Sequence, residues 1–222
     1  MALPIRVSLT TLHCLPIFRD IPDEQLEMII SICRAMEYDQ GEPIIKAGEV
    51  TNDFYIVLSG KIKVMLKEKS GGKEVVLTYL SGGDFFGELS MIDAEPRSAD
   101  VIADTDCCIV SMSGPDFREL VRRNVDITFY ILKNLASRLR HSDEKIKRFA
   151  LEDVSTRVLA ELISIAKEEG ENLVITERVS RQEIAKVVGA SREMVGRAIR
   201  DLEIKGEFKT RDGKIFLRKR NK

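Results

Sequence analysis

The sequence predicts an α+β fold in three parts: an N-terminal β roll (residues 1–120), a long helix (121–150) and a C-terminal winged helix-turn-helix (151–222). Three observations predict it. Residues 40–112 are short apolar runs broken by glycines at 41, 48, 60, 71, 72, 82, 83 and 87. Residues 125–149 carry an apolar heptad. Residues 180–202 hold two short helical patterns around Gly189-Ala190, with a hairpin signal beyond them. At 222 residues, 44% hydrophobic and 32% charged, the chain has room for two small domains.

In the roll, Phe54-Tyr55-Ile56-Val57-Leu58 reads as a buried run, and Lys61-Ile62-Lys63-Val64 alternates as a half-buried strand does. Short strands with regular turn signals suggest a sandwich or roll. Cys107 and Cys108 fall in a buried strand pattern, so packing is their expected role. With Cys14 and Cys33 they show no CxxC or zinc-type spacing, and free thiols are expected in a reducing compartment. The adjacent His13-Cys14 pair is too weak a signal for haem or a metal.

One stretch of the roll points to a ligand. Gly82-Gly83-Asp84-Phe85-Phe86-Gly87-Glu88-Leu89-Ser90 is followed by Pro96-Arg97-Ser98-Ala99. A short helical turn at Gly87-Glu88-Leu89 presents backbone N–H groups suited to an anion. Arg97, expected in the next strand, has a planar fork that matches phosphate, and Ser98 adds a hydroxyl. An ionised Glu88 repels phosphate but accepts from a sugar hydroxyl. Phosphate plus a ribose hydroxyl means a nucleotide.

In the long helix, Val125, Leu132, Leu139 and Ile146 are seven apart, and so are Thr128, Leu135, Ser142 and Phe149. The two series interleave at three and four, as a two-stranded coiled-coil seam requires. The expectation is a parallel homodimer with these residues at its interface. Ser142 is the polar seam position in the C-terminal half. Its hydroxyl either fixes register or reaches a ligand between the β domain and the dimer axis, and Asp143 of the second helix is placed to reach the same ligand.

In the C-terminal part, Ser180 caps a first helix with Glu183 completing a capping box, and Ser191 caps a second. Val195, Ile199 and Leu202 form a buried stripe. Arg192, Glu193, Gly196 and Arg197 fall on another face. Arginine matches guanine's paired acceptors in the major groove and glutamate accepts from cytosine's amino group, while Gly196 lets the helix lie close to the groove floor. Arg181 and Gln182 open the first helix, where donors grip phosphates. Asp212-Gly213 is a tight hairpin turn, which makes the following segment a wing. Residues 176–222 hold 14 Lys+Arg against 7 Asp+Glu, a charge of +7 in a chain of −1, so residues 1–175 carry −8. A basic end on an acidic body is the footprint of a double-stranded DNA binder.

Other classes are excluded. No apolar run approaches the ~18 residues that span a bilayer. Residues 1–18 are interrupted by Arg6, His13 and Pro16 and do not read as a signal peptide. A cytoplasmic location with no membrane partner is expected. There is no P-loop, and His141, Ser142 and Asp143 are consecutive on one helix, so their side chains diverge and form no triad. No enzyme is expected.

The chain resembles the cyclic AMP receptor protein (catabolite activator) branch of bacterial CRP/FNR transcription regulators over almost its full length. Residues 82–89 with Arg97-Ser98-Ala99 are similar to the family's phosphate-binding cassette, residues 138–145 to its dimer-helix ligand segment, and residues 180–184 and 191–197 to its helix-turn-helix. The resemblance implies a cyclic-nucleotide-binding β roll, a dimerisation helix and a winged helix-turn-helix, with cyclic AMP as allosteric effector. It implies that Glu88 binds the ribose 2′-hydroxyl, that Arg97, Ser98 and the Gly87, Glu88 and Leu89 backbone take the cyclic phosphate, and that Ser142 meets the adenine. Ser142 stands where those proteins carry threonine, and Asp143 where they place a serine reaching from the other subunit. Arg192, Glu193 and Arg197 match the base-reading positions of an inverted TGTGA-like repeat, with Ser180, Arg181, Gln182 and Ser191 beside them. RNA polymerase is a further implied partner, through the loop at 167–172. No iron–sulfur cysteine cluster is present, and no histidine lies between His13 and His141 to hold haem, so metal, haem and iron–sulfur cofactors are not expected. The alternative is a regulator of the same type that is effector-independent or answers cyclic di-GMP or cGMP.

Overall fold

Two helices that the glycine-broken pattern does not announce, α1 (Leu9–His13) and α2 (Asp23–Ile32), open the chain in the computed structural model, which describes residues 7–68, 74–169, 172–176, 179–211 and 214–217. There follow β1 (Arg34–Tyr38), β2 (Pro43–Ile45), β3 (Phe54–Ser59), β4 (Lys61–Lys67), β5 (Glu74–Ser81), β6 (Phe85–Phe86), α3 (Leu89–Asp93), β7 (Asp100–Ala103), β8 (Cys107–Met112) and α4 (Gly114–Arg123). The long helix α5 (Val125–Leu151) leads to α6 (Val154–Ile165), β9 (Lys167–Glu169), β10 (Asn172–Ile175), α7 (Arg181–Val188), α8 (Arg192–Ile204), β11 (Phe208–Arg211) and β12 (Lys214–Leu217). The chain divides into two compact units, Met1–Arg138 and Leu139–Lys222, with the boundary inside α5.

The first unit is a roll of two antiparallel sheets, ordered β1-β8-β3-β6 and β2-β7-β4-β5. The apolar run at 54–58 is unbroken because β3 is covered on both faces. Tyr55 and Val57 face a core shared by the two sheets, with Ile62, Leu80, Phe86, Val101 and Ile109. Phe54 and Ile56 face the opposite way, onto a second core built with Leu12, Phe18, Leu26, Phe117, Ile127 and Ile131 from helices and connecting turns. Phe54 stacks on Phe117 at 4.0 Å and Tyr55 on Phe86 at 4.9 Å, one pair in each core. Neighbouring Phe85 and Phe86 divide between the same two cores.

The second unit packs α6, α7 and α8 around Val158, Leu162, Ile184, Val188, Val195, Ala198 and Leu202. The capping predictions hold here: Ser180 Oγ accepts from the amides of Gln182 and Glu183, Glu183 returns a carboxylate oxygen to the Ser180 amide, and Ser191 Oγ accepts from Met194 N at 3.2 Å. Beyond α8, β11 and β12 pair as a wing, in register from Phe208↔Leu217 to Arg211↔Lys214. The Asp212-Gly213 turn lies outside the described residues. The wing is broader than a hairpin, because β10 joins β12 and β9 joins β10 in one four-stranded sheet. That sheet makes strands of the ends of the 167–172 segment, whose residues 170 and 171 are outside the described set.

Gly189 ends α7 in the left-handed region, with φ of +62°. Its missing side chain also makes room: a Cβ there would sit 2.8 Å from Phe149 Cε1. The Phe149 ring therefore lies against the turn of the helix-turn-helix, and the Arg157 guanidinium is 5.1 Å from its centroid.

Along α5 the two heptad series part company. Val125, Leu132, Leu139 and Ile146 are each more than half exposed. Thr128 and Leu135 are not on that surface. Thr128 Oγ1 donates to Val121 O at 3.0 Å, and Leu135 packs onto the core of its own unit. The outward row that alternates with the first series is Phe129, Ala136, Asp143 and Ala150, all exposed. A spacing of four then three fits both choices, and only packing against the body separates them. Phe129 is thus an exposed apolar residue that the heptad reading passed over. No described helix is long and apolar enough to cross a membrane.

Candidate functional site

Gly87 sets the geometry of the anion turn. Its φ is +80°, and a Cβ would meet both Arg97 Nη1 and Asp53 O at 2.8 Å. Glu88 caps α3, with Met91 and Ile92 amides directed at its carbonyl. Arg97 is not in a strand as its sequence context suggests. It lies in the extended segment before β7, fixed by a reciprocal backbone exchange in which its amide donates to Glu49 O and its carbonyl accepts from Gly48 N.

The Arg97 side chain is 4% exposed. Nε donates to Thr51 Oγ1 at 2.8 Å, Nη1 to Gly87 O at 2.8 Å and Ser90 Oγ at 2.7 Å, and Nη2 to Asp53 O at 2.8 Å. Four of its five N–H donors are engaged by neutral oxygens, and among the described residues no carboxylate lies within ion-pair distance of it. The buried Glu88 carboxyl acts on it only at longer range, and a buried charge without a close counterion is costly unless a partner of opposite sign is supplied. Ser98, the next residue, and Leu89 are exposed.

Glu88 is 4% exposed and makes a 3.0 Å ion pair with Arg138 of α5. Arg138 also donates to Phe85 O and lies over the Phe85 ring, 4.6 Å from its centroid. Burial pushes the Glu88 carboxyl above the ordinary carboxylate range, and the Arg138 charge pulls it part of the way back. Sequence reasoning placed Arg138 only at the edge of the ligand segment. Its tie to Glu88 spans 50 residues and has no local signature. Ser142 and Asp143 lie on exposed α5 positions of the second unit.

In the second unit, Arg181, Arg192, Glu193, Arg197 and Arg200 surround an open concavity of about 380 Å³ floored by Gly196. Gly196 is buried beneath Arg181, whose Nη1 would lie 3.7 Å from an added Cβ. An added Cβ would make only ordinary contact there, so packing within this unit does not itself demand a glycine at this position. Arg200, missed in the sequence, is seven residues past Glu193 and so on the same face; its Nε donates to Gly196 O at 3.3 Å. Glu193 is held below the usual carboxylate range by its own backbone amide, then by Ser191, Arg192 and Arg197. It is an acceptor at neutral pH. Ser180, Arg181, Gln182, Ser191, Arg192 and Arg197 are all exposed, so four guanidinium groups and one carboxylate crowd one side of the helix pair.

Comparison with known proteins follows the same division. Residues 35–124 match the cyclic nucleotide-binding domain family, and residues 178–206 match the crp family of bacterial regulatory proteins. The cAMP-activated global transcriptional regulator CRP of Pasteurella multocida is 36% identical over 189 residues, covering 82% of this chain and 88% of that protein. The cAMP-activated global transcriptional regulator Vfr of Pseudomonas aeruginosa is 32% identical over 194 residues, with coverage of 82% and 88%. Among solved structures, the c-di-GMP responsive global regulator CLP of Xanthomonas campestris superposes with a TM-score of 0.76 at 26% identity, covering 88% of this chain and 99% of that one.

Proposed function

This chain belongs to the crp family of bacterial regulatory proteins, as a DNA-binding transcription regulator and not an enzyme, and on that premise we propose that cyclic AMP is its effector and an inverted TGTGA-like repeat its target. The observation that carries the effector reading is the buried Arg97 guanidinium, hydrogen-bonded by neutral oxygens and in contact with no carboxylate among the described residues, one short helix in sequence from the buried Glu88. A phosphate oxygen in place of a neutral acceptor makes charge-assisted bonds roughly twice as strong. In this reading Arg97, Ser98 and the Gly87, Glu88 and Leu89 backbone hold the cyclic phosphate. Glu88 accepts from the ribose 2′-hydroxyl, and Ser142 and Asp143 serve the base. The names of two relatives above, both cAMP-activated, support the choice.

Arg192, Glu193 and Arg197 read base edges, while Ser180, Arg181, Gln182 and Ser191 set the register on phosphates. A second copy packs on the exposed α5 row of Val125, Phe129, Leu132, Leu139 and Ile146, because an apolar stripe of this length marks an interaction surface. Two recognition helices then sit one DNA turn apart, roughly 34 Å. RNA polymerase, reached through the 167–172 segment, is a further partner in this reading, and the cytoplasm is its place.

One observation favours a second effector. The structurally similar regulator from Xanthomonas campestris is c-di-GMP responsive, and Asp143 places a carboxylate on the same α5 surface. Calorimetry with cyclic AMP, cGMP and cyclic di-GMP decides between them. Cyclic AMP is expected to bind with two equivalents per dimer and the others weakly; tighter binding of cyclic di-GMP, or no binding of cyclic AMP, overturns the assignment.

A further inference from the structure

Met194 is the apolar residue at the edge of the arginine face, and nothing above gives it a task. It lies in the first turn of α8, one residue past Glu193 and three before Arg197. Its side chain is 41% exposed. Its amide is already committed to the Ser191 cap, which fixes the backbone at this position and leaves the thioether as the group available to act. At about 100° per residue, Met194 projects roughly 60° from Arg197, between the charged face and the buried Ala198. The cavity beside it is lined by Arg181, Arg192, Glu193, Gly196, Arg197 and Arg200, so Met194 is an apolar group bordering a charged surface.

The N-terminal residues of a recognition helix are the ones that meet base edges. In the major groove only thymine, of the four bases, presents a methyl group. A flexible, unbranched thioether is well suited to cover one. Arg192 lies about 160° around the helix from Met194 and Arg197 only about 60°, so Met194 flanks the Arg197 edge of the charged face, about 4.5 Å along the axis from Arg197, or little more than one base-pair step of 3.4 Å.

We propose that Met194 reads the 5-methyl group of a thymine beside the base pair read by Arg197. It adds an apolar contact to a surface otherwise built from hydrogen-bonding groups. The proposal rests on the base-reading role given to α8 above and specifies which base chemistry that helix selects beyond guanine and cytosine.

The test uses the full-length protein and a duplex obtained by selection from a randomised half-site. Each thymine is replaced singly by deoxyuridine, which removes the methyl and leaves the hydrogen-bonding edge intact, and affinity is followed by fluorescence anisotropy. The unmodified protein is expected to lose about four-fold in affinity at one thymine position, the worth of roughly one buried methyl-sized group. Met194→Ser is expected to bind the thymine and uracil duplexes equally there, and Met194→Leu to keep the discrimination. Indifference of the unmodified protein to every uracil replacement overturns the proposal, as does an undiminished loss in Met194→Ser. Arg192→Ala, measured in parallel, separates the two levels. If it loses guanine preference while uracil has no effect, base reading stands and Met194 alone falls. If the unmodified protein prefers no sequence, the reading beneath it falls as well.

Discussion

Glu88 and Arg138 stand 3.0 Å apart, and their pairing ties the carboxylate of the candidate nucleotide turn to the long helix α5. Glu88 is buried while the Arg138 side chain keeps about a third of its exposure. The arginine therefore opposes the upward push of burial on that carboxyl from a position that solvent still screens. Whatever changes the charge or the hydrogen bonding of Glu88 acts on α5 through this contact.

Arg138→Leu is expected to raise the Glu88 pKa further, because burial then acts without its strongest opponent. The sign follows from linkage. A carboxyl whose folded pKa exceeds its unfolded value favours the fold at low pH and costs stability as pH rises through the folded value. The variant should therefore lose about 2 kcal/mol near neutral pH, less than a fully buried pair would cost because Arg138 is partly solvated, and markedly less near pH 4. Urea denaturation at the two pH values measures this, and equal losses at both would contradict it.

Arg97 has a structural task beside the ligand role proposed for it. Arg97→Leu is expected to destabilise the fold, since Gly87 O, Asp53 O, Ser90 Oγ and Thr51 Oγ1 all lose a donor. A loss of about 2–4 kcal/mol is expected from several buried acceptors left unmatched. Arg97→Lys should lose less stability and still bind cyclic nucleotide weakly, because a point charge replaces the fork. Thermal denaturation alongside calorimetry separates the two effects.

Gly189→Ala should destabilise the second unit by about 1–2 kcal/mol, part from the left-handed backbone and part from the Phe149 ring 2.8 Å away. In a Phe149→Ala background only the backbone part should remain. A double-mutant cycle by urea denaturation reads the difference as a coupling energy, and strict additivity would show that the ring gives way freely.

The exposed row on α5 separates neighbours in sequence. Phe129→Ala is expected to weaken self-association by about ten-fold or more, as loss of a large buried aromatic does, while Thr128→Ala leaves association unchanged. Sedimentation equilibrium distinguishes them. The opposite ranking would restore the seam read from the heptad.

Much of the fold is legible in the sequence. Ser180, Glu183 and Ser191 act within three residues of themselves, so their caps are written in local sequence. The run at 54–58 announced a buried strand for the same reason. Long-range events were silent: the Glu88–Arg138 pair, the internal engagement of Arg97, and the second core that α1 and α2 complete against Phe54. The choice between Thr128 and Phe129 was ambiguous, because a four-three spacing fits two rows of one helix and only the body beside it selects the exposed one.

Arg192→Ala should cost about 1–3 kcal/mol on the selected operator and relax choice at one guanine, whereas Glu193→Ala should relax choice at one cytosine. Selection from a randomised half-site reads both. A uniform loss across all sequences would make Arg192 a phosphate contact.

The central claim is that occupancy of the β roll and the DNA affinity of α8 are linked. Operator affinity measured by anisotropy with and without cyclic AMP tests it most directly. The account predicts tighter binding to an inverted TGTGA repeat when the nucleotide is present, and an equal-fold tightening of nucleotide binding when the operator is present. An operator affinity that cyclic AMP leaves unchanged, or one no better than for scrambled duplex, would contradict it.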